Sequence, residues 1–345
     1  MKRNKTFGFA ALLIPLLLIL AFGLFMKVFR SDNDALIIYC SHDSIFADKI
    51  LKDFSQETGI RVIPRYDTEA SKSLGLTEKI LLEGAKSECD LYWSNEIFSM
   101  PVLQEANLLE AYKGSGWQRI PDIYKDSNGF WAGFAARLRV VIINTENFKG
   151  NQQDITTRFN QGDLSKVAIA LPLYGTTLTH FACLWRALGK DTLIANYREW
   201  KKRGLQIVPG NGPSRTLVAN GTCQFAWTDT DDFFGALDKK APVKMLPVRL
   251  PDNSTICIPN TIGLMKNSTR KKAAQQLIDY LLSEKTELAL ARSTSRQIPL
   301  GPTTEALPQD VAKLMPFAKE GCDLTQLLKI RHELLIWLKK EENFQ

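Results

Sequence analysis

Three aspartates, Asp229, Asp231 and Asp232, lie within four consecutive positions shortly after the apolar segment 224–227. Ionised carboxylates this close repel one another, so a cation, ligand hydroxyls or helix N–H groups must compensate them. Such oxygen donors suit hard cations such as Mg, Ca, Mn or ferric iron, and they also bind ammonium groups or sugar hydroxyls. The simpler alternative is that Asp229 or Asp231 caps a helix that begins near Asp232.

A second group of residues has the chemistry to bind an anion. Gly175, Thr176 and Thr177 open a predicted helix, whose exposed backbone N–H groups and two hydroxyls favour negative charge. Arg137 and Arg139 share one face of a predicted strand, because side chains alternate along a strand, and they can add positive charge. The alternatives are that the threonines only cap the helix and that the arginines pair with carboxylates of the protein.

Polar residues also follow two predicted strands near the start of the chain. His42 and Asp43 come after the first strand, and Asn95 and Glu96 come after the third. Parallel strands end at one edge of a sheet, so these two loops and the loop 67–71 are expected to converge on a ligand crevice. Capping of the helices that follow is the alternative role.

Strands and helices alternate through both halves of the chain, which predicts an α/β fold with mainly parallel sheets. The apolar segment Trp131–Asn144 is predicted as a strand that leaves one lobe and enters another. The segments 243–250 and 255–264 are predicted to return the chain from the second lobe to the first. A boundary crossed by strands indicates two lobes that hinge while staying in register.

The N-terminal segment predicts a membrane helix. Residues 6–26 carry no charge, and this length crosses a bilayer. Basic residues precede it and Asp32 and Asp34 follow, so the positive-inside bias favours an exported body. A cleavable signal peptide is the alternative, although bulky residues stand where a small-residue cleavage site is expected. The predicted divisions are residues 1–31 as anchor or signal, 36–135 plus 251–300 as the first lobe, and 136–250 plus 301–345 as the second.

The remaining composition narrows the function classes. The first 31 positions hold five of the 44 basic residues and no acid, which leaves 39 basic against 37 acidic side chains in the body. This near balance offers no bulk attraction to nucleic acid. None of the six cysteines belongs to a CxxC motif, which argues against a zinc-binding site. Cys40 with Cys89, or Cys223 with Cys257, could form disulfides if exported; the alternative is that all six are buried apolar residues.

Four ordered motifs carry a family resemblance over roughly residues 36–300. They are LIIYCSHDSIFADKILKDFSQETGIRV, CDLYWSNEIFSMPVLQEANLL, FWAGFAARLRVVIINT and KKAAQQLIDYLLSEKTELALA. The chain resembles the iron(III)-type solute-binding proteins of ABC importers, within the type 2 periplasmic binding protein fold. The resemblance implies extracytoplasmic capture of a small ligand, either a metal ion such as iron(III) with an anion or a small polar organic solute, for delivery to an ABC importer permease.

Alternative functions are a membrane-tethered ligand sensor and a hydrolytic enzyme. No GxSxG, HExxH, GxxxxGK[ST] or dinucleotide-binding motif supports an enzyme. No catalytic residue is therefore predicted.

The family's metal ligands are not retained at the matching positions. The resemblance places its tyrosine pair at Asp231 and Asp232, its histidine at Asp43 beside His42, and its glutamate at Asn95 beside Glu96. Carboxylates are themselves hard oxygen ligands, so Asp43, Asp231 and Asp232 are the predicted ligands if the solute is iron(III) or another hard cation. The full predicted ligand-binding set is His42, Asp43, Asn95, Glu96, Arg137, Thr176, Thr177, Asp229, Asp231 and Asp232.

Overall fold

The computed structural model describes residues 35–67 and 74–343. The predicted membrane segment 6–26 and most of the predicted crevice loop 67–71 lie outside these residues. Within the described ranges, no helix combines the length and the apolar character that crossing a membrane requires.

Ten strands form one continuous sheet across the described part of the chain, in the order β2-β1-β3-β10-β5-β8-β6-β7, with β4 on β10 and β9 on β5. In chain order they are β1 (Leu36–Cys40), β2 (Val62–Tyr66), β3 (Leu91–Ser94), β4 (Leu109–Glu110), β5 (Trp131–Asn144), β6 (Val167–Ala170), β7 (Gln206–Val208), β8 (Phe225–Asp229), β9 (Val243–Pro247) and β10 (Cys257–Met265).

Helices cover both faces of this sheet and connect its parallel strands. In chain order they are α1 (Ser44–Thr58), α2 (Leu74–Glu83), α3 (Ser99–Glu105), α4 (Ser115–Arg119), α5 (Gln152–Gln161), α6 (Gly175–Leu188), α7 (Lys190–Lys202), α8 (Asn211–Ala219), α9 (Thr230–Asp238), α10 (Lys271–Leu281), α11 (Glu284–Arg292), α12 (Gln309–Ala312), α13 (Met315–Lys319) and α14 (Leu328–Glu341).

Strand β5 joins two lobes, as the sequence predicts. Residues 131–138 pair antiparallel with β10 in the first lobe, where β1, β2 and β3 run parallel. Residues 139–144 pair antiparallel with β8 and β9 in the second lobe, where β6, β7 and β8 run parallel. All fourteen residues of β5 are buried, which explains its uninterrupted apolar sequence. The predicted lobe limits themselves stay a prediction.

A strained residue lies in the first-lobe part of β5, shortly before the strand enters the second lobe. Ala135 adopts φ +43°, a left-handed conformation that L residues rarely occupy. The register with β10 shifts opposite it, between Pro259 and Asn260. The fully buried Glu287 accepts a hydrogen bond from the Ala135 amide at 2.9 Å and forms an ion pair with Arg119 at 2.5 Å. Helix α11, which carries Glu287, therefore stabilises the irregular backbone of β5 at Ala135.

Candidate functional site

A cleft of about 380 Å³ lies at the carboxyl ends of the strands, between the lobes. The first lobe supplies His42, Asp43 and Asn95, and the second supplies residues from α6, α8, β8 and α9. The structure brings nine of the ten predicted residues to this cleft, and only Glu96 is elsewhere. The predicted residues that line it are His42, Asp43, Asn95, Arg137, Thr176, Thr177, Asp229, Asp231 and Asp232.

The aspartate cluster forms at the end of β8 and the start of α9. Carboxylate oxygens of Asp229, Asp231 and Asp232 all lie within 4.8 Å of one another. Asp229 has the position of an N-cap, yet its side chain makes no capping hydrogen bond. The predicted capping alternative therefore does not account for Asp229.

Asp229 is instead neutralised by the second lobe. Its Oδ1 accepts from Arg139 Nη1 at 2.8 Å, and its Oδ2 accepts from the Thr176 hydroxyl at 2.6 Å and from the Asn211 amide at 2.9 Å. Arg139 is fully buried. Both carboxylate oxygens of Asp229 are engaged by protein groups while the residue lines the cleft, and its predicted contact with a ligand stays a prediction. The ion-pair alternative is the one that Arg139 adopts.

Asp231 is the carboxylate with the least compensation in this cluster. Its side chain is 14% exposed, and the nearest cationic atom is Arg137 Nε at 4.0 Å, beyond hydrogen-bond distance. Burial raises the pKa of Asp231 to about 8, against the opposing effect of Arg137 and with further increases from the charges of Asp232, Asp229 and Asp43. A cation bound here would relieve this electrostatic cost.

Asp232 faces the same cleft with different partners. One oxygen accepts from the Thr228 hydroxyl at 2.8 Å, and the other lies 3.4 Å from Arg215 Nη1. The Asp232 amide donates to Asp231 Oδ1 at 3.0 Å, so the first turn of α9 supports the neighbouring carboxylate. These contacts hold the two acidic side chains beside each other at the N-terminus of α9.

Arg137 links the hinge strand to the first lobe. Its Nη1 lies 3.3 Å from Asn260 Oδ1 and 3.5 Å from His42 Nδ1, and its Nη2 donates to the Asn95 carbonyl. Its buried Nε has no hydrogen-bond partner among the described residues. Arg137 Nε thus lies beside Asp231 without a hydrogen-bond partner in the described part of the chain.

His42 is held inside the first lobe beneath the cleft surface. Its Nε2 lies 2.8 Å from the Gln297 amide nitrogen, and its ring stacks on Trp93 and Phe46 with centroids 5.4 and 5.7 Å apart. With Arg137 near its other nitrogen, both ring nitrogens face buried protein groups. This position suits a side chain that orients Arg137.

The N-terminus of α6, where the sequence predicts an anion-binding site, is held by hydrogen bonds to α8. Gly175 adopts φ +51°, which a residue without Cβ tolerates. The Thr177 hydroxyl donates to Asn211 Oδ1 at 3.2 Å, and Asn211 in turn donates to the Thr176 hydroxyl at 2.9 Å. Both threonine side chains therefore bind other protein groups, and Gly175, Thr176 and Thr177 of the first helical turn line the cleft.

Glu96 does not line the cleft, contrary to the prediction. It is buried beside the start of α3, where its carboxylate accepts from the Phe98 amide and from the Ser99 amide at 2.9 Å. Helix N-terminal N–H groups attract a carboxylate in this way. Of the two adjacent candidates, Asn95 therefore remains in the cleft and Glu96 supports the loop.

Several cleft residues carry no signal in the sequence patterns used above. Tyr174 lines the cleft directly before α6, and burial raises the pKa of its phenol. Asn211 and Arg215 come from α8, which begins at Asn211. A polar residue just before or inside the first turn of a second-lobe helix is a pattern that identifies Tyr174 and Asn211, whereas Arg215 lies in the second turn of α8.

The sequence matches the family described as bacterial extracellular solute-binding protein over residues 36–293. The chain belongs to this family. This solute-binding protein is 20% identical over 323 residues to iron uptake protein A1 of Synechocystis sp., covering 88% of this chain and 87% of that protein. The resemblance stated from the sequence motifs is thereby confirmed.

Solved structures show the same fold. Iron-bound HitA from Pseudomonas aeruginosa superposes with a TM-score of 0.72 at 21% identity, covering 87% of this solute-binding protein and 99% of HitA. AfuA from Actinobacillus pleuropneumoniae, with exogenous fructose-6-phosphate bound, superposes with a TM-score of 0.75 at 17% identity, covering 90% and 99% of the two chains. The two-lobed α/β periplasmic-binding-protein fold is therefore established, and the ligand must be argued from the cleft itself.

The raised pKa of Asp231 predicts how the ligand-free protein responds to pH. A carboxyl whose folded pKa lies above its unfolded value contributes its full stability below the unfolded pKa and loses it progressively as pH rises through the folded pKa, here about 8. Asp231→Asn should remove this loss, so its advantage over the wild type should grow by about 1–3 kcal/mol between pH 4 and pH 8. Urea unfolding at both pH values measures it, and a constant difference would contradict it.

Proposed function

We propose that this protein captures a hard cation, iron(III) or one of similar chemistry, together with an anion, and delivers it to an ABC importer permease. The observation that carries the proposal is the group of carboxylates inside the interlobe cleft, with Asp231 short of compensating charge. A multivalent cation removes that repulsion and matches the oxygen donors. The similarity to iron uptake protein A1 and to iron-bound HitA supports the same ligand class.

The proposed ligands divide between the lobes. Asp231 and Asp232 from α9 would bind the cation from the second lobe, and Asp43 at the start of α1 would bind it from the first. Because the ligands lie on both sides of the hinge, binding would favour closure of the lobes. Asp229 stays with Arg139 and does not bind the cation directly.

The accompanying anion would bind beside the cation. The unpartnered Arg137 Nε and the first turn of α6 supply hydrogen-bond donors on that side of the cleft. An anion there would also offset the charge of the cation. Tyr174 lines the same region, and a nearby multivalent cation would lower the pKa of its phenol and add a further oxygen donor.

A phosphorylated organic solute is the second candidate. The structure of AfuA with fructose-6-phosphate has the same fold, and Arg137, Arg215 and the α6 N-terminus could bind a phosphate group here. In that case Asp231 and Asp232 would bind sugar hydroxyls. The cation remains the first choice because hydroxyl groups do not neutralise the paired charges.

The N-terminal segment completes the proposal. The uncharged residues 6–26 and the charge asymmetry around them support an uncleaved tether that holds the protein on the outer face of the cytoplasmic membrane. A tether would keep the binding protein on the same membrane as its permease. A sensor would share the tether and the cleft, and loss of solute uptake after deletion of the permease separates transport from sensing.

A melting screen of the full-length protein in detergent tests the ligand. Ferric iron with carbonate or phosphate should raise the melting temperature by about 5 °C when present at 100 times its Kd, since ligand then stabilises the fold by about 2.7 kcal/mol. Divalent metals, fructose-6-phosphate, phosphate alone and neutral sugars form the comparison arms. A shift with the sugar phosphate and none with any cation would replace the first candidate by the second.

A further inference from the structure

Two cysteines far apart in the sequence meet in the second lobe, away from the cleft. Cys183 lies in the third turn of α6, and Cys322 follows α13. Their sulfur atoms are 3.7 Å apart. The predicted pairs, Cys40 with Cys89 and Cys223 with Cys257, are not bonded to each other in the described part of the chain. All six cysteines are free thiols in the described part of the chain, and Cys183 and Cys322 are the two whose sulfur atoms are in contact.

The backbones on both sides of this pair are already fixed. Arg186, one turn after Cys183, donates to the Asp323 carbonyl at 3.2 Å. The Cys322 amide donates to the Thr255 carbonyl at 2.9 Å, just before the return strand β10. A disulfide needs about 2.05 Å between the sulfur atoms, and side-chain rotation supplies most of the remaining approach because the two segments already lie together.

The two thiols differ in burial and in pKa. Cys183 is fully buried, and burial raises the pKa of its thiol well above the usual value. Cys322 is half-buried, and the hydrogen bond from Cys183 lowers its pKa, helped by the Arg186 charge. Cys322 is therefore the thiol that an external oxidant meets first, with Cys183 behind it as the resolving thiol.

We propose that Cys183 and Cys322 form a disulfide that fastens α6, whose first turn lines the ligand cleft, to the segment beside β10. The Cys322 thiolate attacks an external disulfide, such as that of an exported thiol oxidase or oxidised glutathione, and one thiolate leaves. Cys183 then loses its proton and attacks Cys322 Sγ, which releases the second thiolate. Two cysteines are oxidised and one external disulfide is reduced to two thiols. The inference needs only the extracellular location of the family, where disulfides persist.

Peptide mapping of the full-length protein tests this proposal. The protein is purified without reductant, its thiols are alkylated under denaturing conditions, and the digest is analysed by mass spectrometry. We expect one linked peptide containing Cys183 and Cys322, with the other four cysteines alkylated. When the protein is reduced before alkylation, all six cysteines should be alkylated. Reduction should also lower the melting temperature by about 5 °C, since the bond links positions 139 apart in the sequence.

Variants separate the bond from general effects of cysteine replacement. Cys183→Ala combined with Cys322→Ala should lose both the linked peptide and the response to reductant, whereas the buried control Cys89→Ala should keep both. Six alkylated cysteines after treatment with oxidised glutathione would overturn the proposal. So would a linked peptide that joins Cys322 to Cys257, which lies beside the same segment.

Discussion

Asp231→Asn combined with Asp232→Asn is expected to weaken cation binding by at least about 100-fold while the protein stays folded. The change keeps the shape of both side chains and removes their two charges. Asp231 has no close cationic partner and Asp232 has one at 3.4 Å, so their loss costs the fold little and costs a bound cation two oxygen donors. Isothermal titration with ferric iron and carbonate measures the affinity, and circular dichroism checks the fold.

A surface carboxylate provides the matched control for this double variant. Asp122→Asn removes a carboxylate whose side chain is 98% exposed in the first lobe, away from the cleft, and it should leave the affinity unchanged. Binding by the double variant within about threefold of the wild type would mean that the two aspartates only support the start of α9.

Arg139→Met is expected to destabilise the protein by about 3–5 kcal/mol, because it leaves Asp229 buried without its cation. The pair is almost completely excluded from water, and the Thr176 and Asn211 side chains depend on the same carboxylate. Urea unfolding at neutral pH measures the loss. Helix α6 should lose its anchor at the cleft, so ligand affinity should fall as well.

Removing both charges distinguishes the ion pair from simple packing. Arg139→Met with Asp229→Leu should recover most of the stability, since two apolar side chains can replace a buried pair at little net cost. Equal instability of the single and double variants would show that packing of the arginine stem, rather than charge compensation, holds this corner. A loss below about 1 kcal/mol for Arg139→Met would contradict the buried-pair interpretation.

Fold elements with strong local patterns were predictable from sequence. Strand β5 has the bounds Trp131–Asn144 that its apolar residues predict. Helix α5 was missed because only Ile155 and Phe159 of its ten residues are buried. Its capping box, formed by Asn151 and Asp154, was the available signal.

The location of the cleft could be predicted from the sequence, but the roles of the individual side chains that line it depend on long-range contacts. Which aspartate is neutralised depends on Arg139, which is 90 positions from Asp229 in the sequence. The choice between Asn95 and Glu96 depends on which of them turns towards α3, a local detail that a loop sequence leaves open. Strand topology therefore identifies the residues that meet, and side-chain pairing decides which of them are left for a ligand.

Metal content of the full-length protein, purified without chelator from iron-replete cells, tests the central claim most directly. Elemental mass spectrometry should find about one hard cation per chain in the wild type and less than a tenth of that after Asp231→Asn with Asp232→Asn. A wild-type protein that carries no metal and also gains none from added ferric iron with an anion would contradict cation capture by this cleft.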